Sequence, residues 1–401
     1  MRFLSVLTGL ILLYLFYGMY LAQRQFTVTR QDLKRENAVG FYDYRGVTNV
    51  KSDLSEGSSE PTEIINAARR VGLDFLVFNE VNLPERMAGL DGYQGNLLVM
   101  SESEYTLLDT RILHYSGARD QAPANLGDAR LYLTDLLSQP NSSGRDSLLV
   151  VAHPFLNGPT WVGDFPTGVD GLEVLNPKSL SEQAWIASKL NVVWSLICYP
   201  FNANFAFLRL FQEPGNETTL WDQVNRKQKV FGYAGADATA RAIPFARYLI
   251  KFPSYEKSFE ITSNHILTES ELNGSFQKDR LTLLSALKKG QFYFSLDLLG
   301  DPKGFLAFIQ DKDRIHLMGS TLKLTHGLRL ISRLPAVPQD FYEIVILKDG
   351  ERLVTVNRPE VNFEIKAPGV YRIAVRVAPF LGFPDGKKWL TWIYTNPFFI
   401  K

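Results

Sequence analysis

"NVKSDLSEGSSEPTEIINAARRVGLDFLVFNEVN", residues 49–82, is the stretch whose reading decides the fold. Pro61 suits the first position of a helix, and Gly72 suits the position just past its end. Between them Ile64, Ala68 and Val71 form an apolar stripe at helical spacing. "LDFLVF" (73–78) then reads as a strand buried on both faces, because its apolar run is continuous rather than alternating. Polar residues mark both ends of this unit: Asn49, Lys51, Asp53 and Glu56 before the helix, Asn79 and Glu80 after the strand.

The same grammar extends outward. Strand-like runs recur as "NLLVM" (96–100), "SLLVVA" (147–152), "GLEVL" (171–175), "VVWSLI" (192–197) and "VFGYAG" (230–235). "DRLTLLSALKKG" (279–290) reads as a helix with basic residues in its last turn and Gly290 at its stop. Repeated strand–helix units predict an α/β barrel or doubly wound sheet over residues 41–300. From residue 301 to 401 the pattern alternates with period two, and "KDG" and "APG" supply turns, which predicts a small all-β sandwich.

Composition narrows the function. The chain has 401 residues, 45% hydrophobic and 21% charged, with net charge +1. That fits a globular protein of two parts and gives no basic stripe for nucleic acid. Cys198 is the single cysteine, so an intramolecular disulfide and a four-cysteine zinc site are excluded. Only five histidines exist, which excludes a histidine-rich metal centre. Neither a "GxSxG" elbow nor a "GxxxxGK[ST]" loop occurs, which argues against a serine hydrolase or a P-loop NTPase.

Residues 3–22, "FLSVLTGLILLYLFYGMYLA", carry no charge. Twenty helical residues cover about 30 Å, the thickness of a bilayer core. The segment 1–22 is read as an uncleaved transmembrane anchor rather than a cleaved signal, since "YLAQ" is a poor cleavage site. Residues 23–40 read as a polar tether. Arg24, Arg30, Lys34 and Arg35 follow the span and, counted literally, favour a cytoplasmic body. The short N-terminus with Arg2 resembles a signal anchor, and the orientation taken is an exported body, periplasmic or extracellular.

Strand C-termini carry chemistry in α/β barrels. Here they hold Asn49, Lys51, Asp53, Glu56, Asn79 and Glu80, then Glu102 and Glu104, His153 in "VVAHPF", Glu173 and Asn176 in "GLEVLN", and Asp237 in "GYAGADATA". In order and spacing this set resembles the PHP (polymerase and histidinol phosphatase) family. Its members open with a His-x-His strand and an "SDG"-like turn, and continue through "GLDFLALTDH", "GxE", "AHP", "GLEVxN" and "GSDAH" strands. The ending "WLTWIYTNPFFI" is similar to that of members with a C-terminal β-sandwich. The resemblance implies a distorted seven-stranded (β/α) barrel and metal-dependent phosphoester hydrolysis.

Mapped residue by residue, the family's metal ligands are largely exchanged. His-x-His falls on Asn49 and Lys51, and the acid of the turn on Glu56. The "TDH" pair falls on Asn79 and Glu80, and a further histidine falls near Arg111. Glu104, His153 and Asp237 are kept, and the last histidine becomes Thr239. The pocket set is therefore Asn49, Lys51, Asp53, Glu56, Asn79, Glu80, Arg111, Glu173, Asn176 and Thr239. Glu80, Glu104, His153 and Asp237 would be the ligands if one divalent metal (Mn, Mg or Zn) binds. Protonated lysine and arginine cannot bind metal. Lys51 and Arg111 are thus expected to form an ion-pair network with Glu56, Glu80, Glu104 and Asp237 in place of the metals. His114, His265, His316 and His326 are expected outside the site, the last three as ordinary surface or sandwich residues.

Two functions follow. One is a membrane-anchored pseudoenzyme that binds a small phosphorylated ligand or a protein partner. The other is a phosphoesterase with a reduced, oxygen-rich site. A third reading gives the β-sandwich the partner-binding role.

Overall fold

The computed structural model describes residues 2–28, 40–83, 89–107, 110–117, 125–141, 144–156, 164–245 and 248–401. The unit read from residues 49–82 forms as expected. Helix Pro61–Val71 starts on Pro61 and stops at Gly72, which adopts a left-handed φ of 77° and donates its N–H to the helix's last turn. Ile64 and Ala68 bury against Val47, Val50, Leu76 and Phe78. Helix Phe276–Lys289 ends in the same way on Gly290, with φ 72°.

The strands join one 16-stranded mixed sheet. Tyr42–Val50, Phe75–Val81 and Leu97–Leu107 lie parallel, side by side. Thr110–Tyr115 folds back as a hairpin partner, and Leu148–Ala152, Gly171–Leu175 and Phe231–Ala234 follow parallel to one another. On the other flank, Tyr42–Val50 pairs antiparallel with Thr262–Thr268, which pairs with Phe292–Leu296. Among the described residues, strand pairing does not close this path into the expected seven-stranded barrel. The chain just after Phe231–Ala234 nonetheless meets Tyr42–Val50 through backbone hydrogen bonds, from Ala236 N–H to Thr48, from Ala238 N–H to Asn49 and from Lys51 N–H to Ala238, and the Asn264 side chain bonds both the N–H and the carbonyl of Ala234.

Three further expectations are corrected. "VVWSLI" is not a strand but the middle of helix Lys189–Cys198, which begins where the Ser188 side chain accepts from Asn191 N–H. An apolar run of that length does not distinguish strand from helix, and the cap decides it. The tether reading fails for its first part: Phe26 and Val28 are buried, and Val28 exchanges backbone hydrogen bonds with Leu299 and Gln339. Residues 29–39 of that segment lie outside the described residues. Third, the C-terminal strands are not a separate layer throughout. Leu390–Thr395 pairs with Phe292–Leu296, so the large sheet runs on past residue 301. Leu306–Asp311, Arg314–Leu317, Arg329–Arg333 and Glu360–Glu364 form a second, four-stranded sheet.

Candidate functional site

The polar strand ends converge around Lys51. Its side chain is 0% exposed. Nζ lies 2.9 Å from Glu104 Oε2 and 3.0 Å from Asp237 Oδ1, and donates to Asn49 Oδ1 at 2.5 Å. Arg111 closes the other side of Glu104: Nη1 is 2.9 Å from Glu104 Oε1, and the guanidinium grips both oxygens of Glu56 at 2.9 and 3.1 Å. Lys178, which the sequence reading missed, places Nζ 3.6 Å from Asp237 Oδ2. It sits in the first turn of helix Pro177–Ala187, directly after the Asn176 cap, and that position was the available signal.

The expected ion-pair ring therefore assembles from Lys51, Arg111, Glu56, Glu104 and Asp237, without Glu80. Glu80 turns to the preceding loop: Oε1 accepts from Ser52 N–H (2.8 Å) and Ser52 Oγ (2.6 Å), and Oε2 accepts from Ser55 Oγ. Asn79 Oδ1 accepts from Asn49 N–H at 2.9 Å. Asp53 is exposed in the turn, and the Thr239 carbonyl accepts from Tyr255 OH at 3.1 Å.

Glu173 forms a second, deeper layer. It accepts from Asn49 Nδ2 (2.8 Å), Asn176 Nδ2 (2.8 Å) and His153 N–H (3.0 Å). Gly235 is required beside it, because a Cβ there would stand 1.7 Å from Glu173 Oε1. Three residues of the site hold left-handed backbone without being glycine: Asn49 (φ 61°), His153 (φ 27°) and Asp237 (φ 43°). Such conformations cost about 1–3 kcal/mol each and persist only where the surroundings enforce them.

The charges follow the geometry. Burial alone would lower the Lys51 ammonium, but Asp237 and Glu104 outweigh it and hold the group above its ordinary value. Burial would raise Asp237, and Lys51, Lys178 and His153 bring it well below the usual carboxylate range. Burial lowers His153 below its ordinary value; neither ring nitrogen has a hydrogen-bond partner among the described residues, and Nε2 stands 3.9 Å from Glu104.

Burial, with Asp237 nearby, pushes Glu173 up to about 7. A raised carboxylate pKa means the folded state holds a proton that the unfolded chain has released. Its effect is to reduce stability progressively from about pH 4.5 to pH 7. Denaturant titrations of wild type and Glu173→Gln should therefore differ in pH slope across that window. Parallel curves would show that Glu173 does not titrate there.

The remaining histidines and Glu102 lie elsewhere. His114 packs against the rings of Tyr105 and Tyr132. His265 is not a surface residue: it is fully buried, its Nδ1 2.9 Å from Asp43 Oδ1, its ring stacked on Tyr293. Glu102 pairs with Arg280 on helix Phe276–Lys289.

Among the described residues, no group of three or more His, Cys, Asp or Glu side chains is arranged to hold a metal ion. The donor set does not fit a divalent metal: Lys51 Nζ already stands between Glu104 and Asp237, and an added cation there would meet a fixed positive charge.

No family model and no curated protein matches the chain. Solved structures similar to it include the following two. One is a two-domain protein containing a predicted PHP-like metal-dependent phosphoesterase from Bacteroides vulgatus, 14% identical, with TM-score 0.37, the match covering 92% of this chain and 98% of that one. The other is described as a candidate metal-dependent phosphoesterase from Bifidobacterium adolescentis, 12% identical, with TM-score 0.29, covering 55% of this chain and 94% of that one.

Proposed function

We propose that this chain is a membrane-anchored, PHP-like binding protein in which Lys51 replaces the metal cluster. The observation that carries the reading is the Lys51 ammonium, fully buried between Glu104 and Asp237. Its charge is permanent at physiological pH, so it can hold the carboxylates together without supplying a metal-activated water. Arg111 and Lys178 are the partly exposed cations beside it, and the His153 ring, without a hydrogen-bond partner among the described residues, lies in the same cluster. That combination suits a small anionic ligand such as a phosphate ester. The helix Phe3–Ala22, long and apolar enough to cross a membrane, serves as the anchor, with the body on the exported side.

The test is metal content by elemental mass spectrometry on the detergent-solubilised full chain, incubated with manganese, zinc or magnesium and desalted. The expected result is far less than one ion per chain for wild type. Lys51→Ala, which frees Glu104 Oε2 and Asp237 Oδ1 beside His153, should gain manganese or zinc. Near-stoichiometric metal in wild type, lost in Asp237→Ala and His153→Ala, would overturn the substitution of the metals by Lys51 and make phosphoester hydrolysis the reading to assay.

A further inference from the structure

We infer that the body of this protein is seated in the membrane, with helix Lys189–Cys198 and the loop around Phe383 immersed in the leaflet next to the N-terminal helix. The inference rests on the anchor reading and goes beyond it, because an anchor on a tether would leave the body in water.

The grip on the N-terminal helix carries the argument. The body does not hold that helix only at its end; it holds it over residues 14–21. Tyr14 OH donates to the Ile197 carbonyl at 2.9 Å, and the Tyr14 ring packs edge-on to Phe201 at 5.0 Å. Gly18 lets Phe201 close in, since a Cβ there would stand 2.4 Å from the ring. Tyr17 OH donates to the Phe383 carbonyl at 2.7 Å, and its ring lies 5.8 Å from Trp194. Asn202 Nδ2 caps the helix by donating to the carbonyls of Leu21 and Arg24. Val28, a few residues on, is bonded to Leu299 and Gln339, so the junction is fixed as well.

Length then decides the depth. If the body stayed outside the hydrocarbon, only residues 3–13 would be left to cross it. At about 1.5 Å per residue they reach roughly 16 Å, about half of a bilayer core. Tilt shortens the reach further. A spanning helix therefore draws the elements that grip Tyr14 into the near leaflet, roughly 12 Å from its Ala22 end.

The surface that would enter is built for it. Helix Lys189–Cys198 has no acidic residue and turns Leu190 (82% exposed), Val193 and Ile197 outward at helical spacing, with Leu196 beside them. Ile186, Trp185, Phe380 and Phe383 (77% exposed) continue the apolar face. Its cations sit over aromatic rings, Lys189 on Trp185 and Arg24 on Tyr20 and Phe380, as interfacial side chains do.

The test is spin-label depth measurement on the full chain in phosphatidylcholine proteoliposomes, in a Cys198→Ser background that removes the single cysteine. Labels go at Leu10→Cys in the anchor, at Leu190→Cys and Phe383→Cys on the face, and at Leu353→Cys as an exposed reference. Collision with oxygen, relative to a water-soluble nickel chelate, should be several-fold higher at Leu190 and Phe383 than at Leu353. Nickel access at Leu190 and Phe383 equal to that at Leu353, with Leu10 in lipid, overturns the inference alone. Nickel access at Leu10 as well shows that the anchor reading fails. Exclusion of both reagents at Leu190 and Phe383 would assign the face to a second protein copy and also overturn it. If the cysteine variants do not fold, the wild-type chain supplies the readout: quenching by acyl-chain-brominated lipid, reduced several-fold in Trp185→Phe/Trp194→Phe, supports immersion, and unchanged quenching refutes it.

Discussion

Lys51→Met should destabilise the protein by about 3–5 kcal/mol, the cost of leaving buried carboxylates without their cation. Glu104 keeps Arg111, but among the described residues the cation left beside Asp237 is Lys178, 3.6 Å away and partly exposed. The loss should depend on pH in a defined way. In wild type the folded Asp237 is held low, so its contribution is present above about pH 4 and disappears as pH falls through the folded value. Lys51 is held high, so its contribution is complete below its ordinary 10.5 and fades only as pH rises past the folded value. Across pH 5–9 the wild-type pair is therefore flat. In Lys51→Met the carboxylates can relieve the strain only by taking up protons, so the destabilisation should shrink toward acid. Urea titrations at pH 5, 7 and 9 read this directly. A loss below about 1 kcal/mol at pH 7 would mean that the ion pair contributes no more than an exposed one. Asp237→Asn in the Lys51→Met background should recover part of the loss, because it removes the orphaned charge.

Trp392→Ala should cost about 3–5 kcal/mol, as expected for emptying a buried indole. It should also lower a single unfolding transition rather than one of two. Trp392 is fully buried, and its Nε1 donates to the Gly300 carbonyl at 2.7 Å, across the junction between the two sequence regions. Its strand pairs with Phe292–Leu296, and Asn396 nearby bonds Gly232 through both its N–H and its carbonyl, and the Phe292 carbonyl. These contacts couple the C-terminal strands to the part that carries the site. Calorimetry of the variant would decide: two resolved transitions, with only the first shifted, would show that the regions unfold independently.

Local rules made much of this protein legible. Pro61 and Gly72 bound their helix because each acts within one turn, by a fixed φ and a tolerated left-handed φ. The apolar runs at 148–152 and 171–175 are buried along their whole length, as their continuous patterning implies. The convergence of Lys51, Glu56, Glu104 and Asp237 was legible from polar residues at strand ends, whereas Arg111 was reached only through the family resemblance, since it lies on the antiparallel strand Thr110–Tyr115.

What tertiary structure alone decided lies in the choices between partners. Glu80 had an ion-pair ring within sequence reach and took two serines, because the 52–55 turn brings hydroxyls and an N–H closer than either cation. His265 carried no sequence signal of burial, and only the register of Thr262–Thr268 against Tyr42–Val50 sets it on Asp43. "VVWSLI" has the composition of a strand or a helix; the Ser188 cap and packing against Tyr14 and Tyr17 made it a helix. Composition and spacing determine which groups a chain has and which edge of a sheet they reach. Which charge meets which, and how deep an anchor is held, depend on angstrom-scale distances between residues far apart in sequence, and folding alone fixes those.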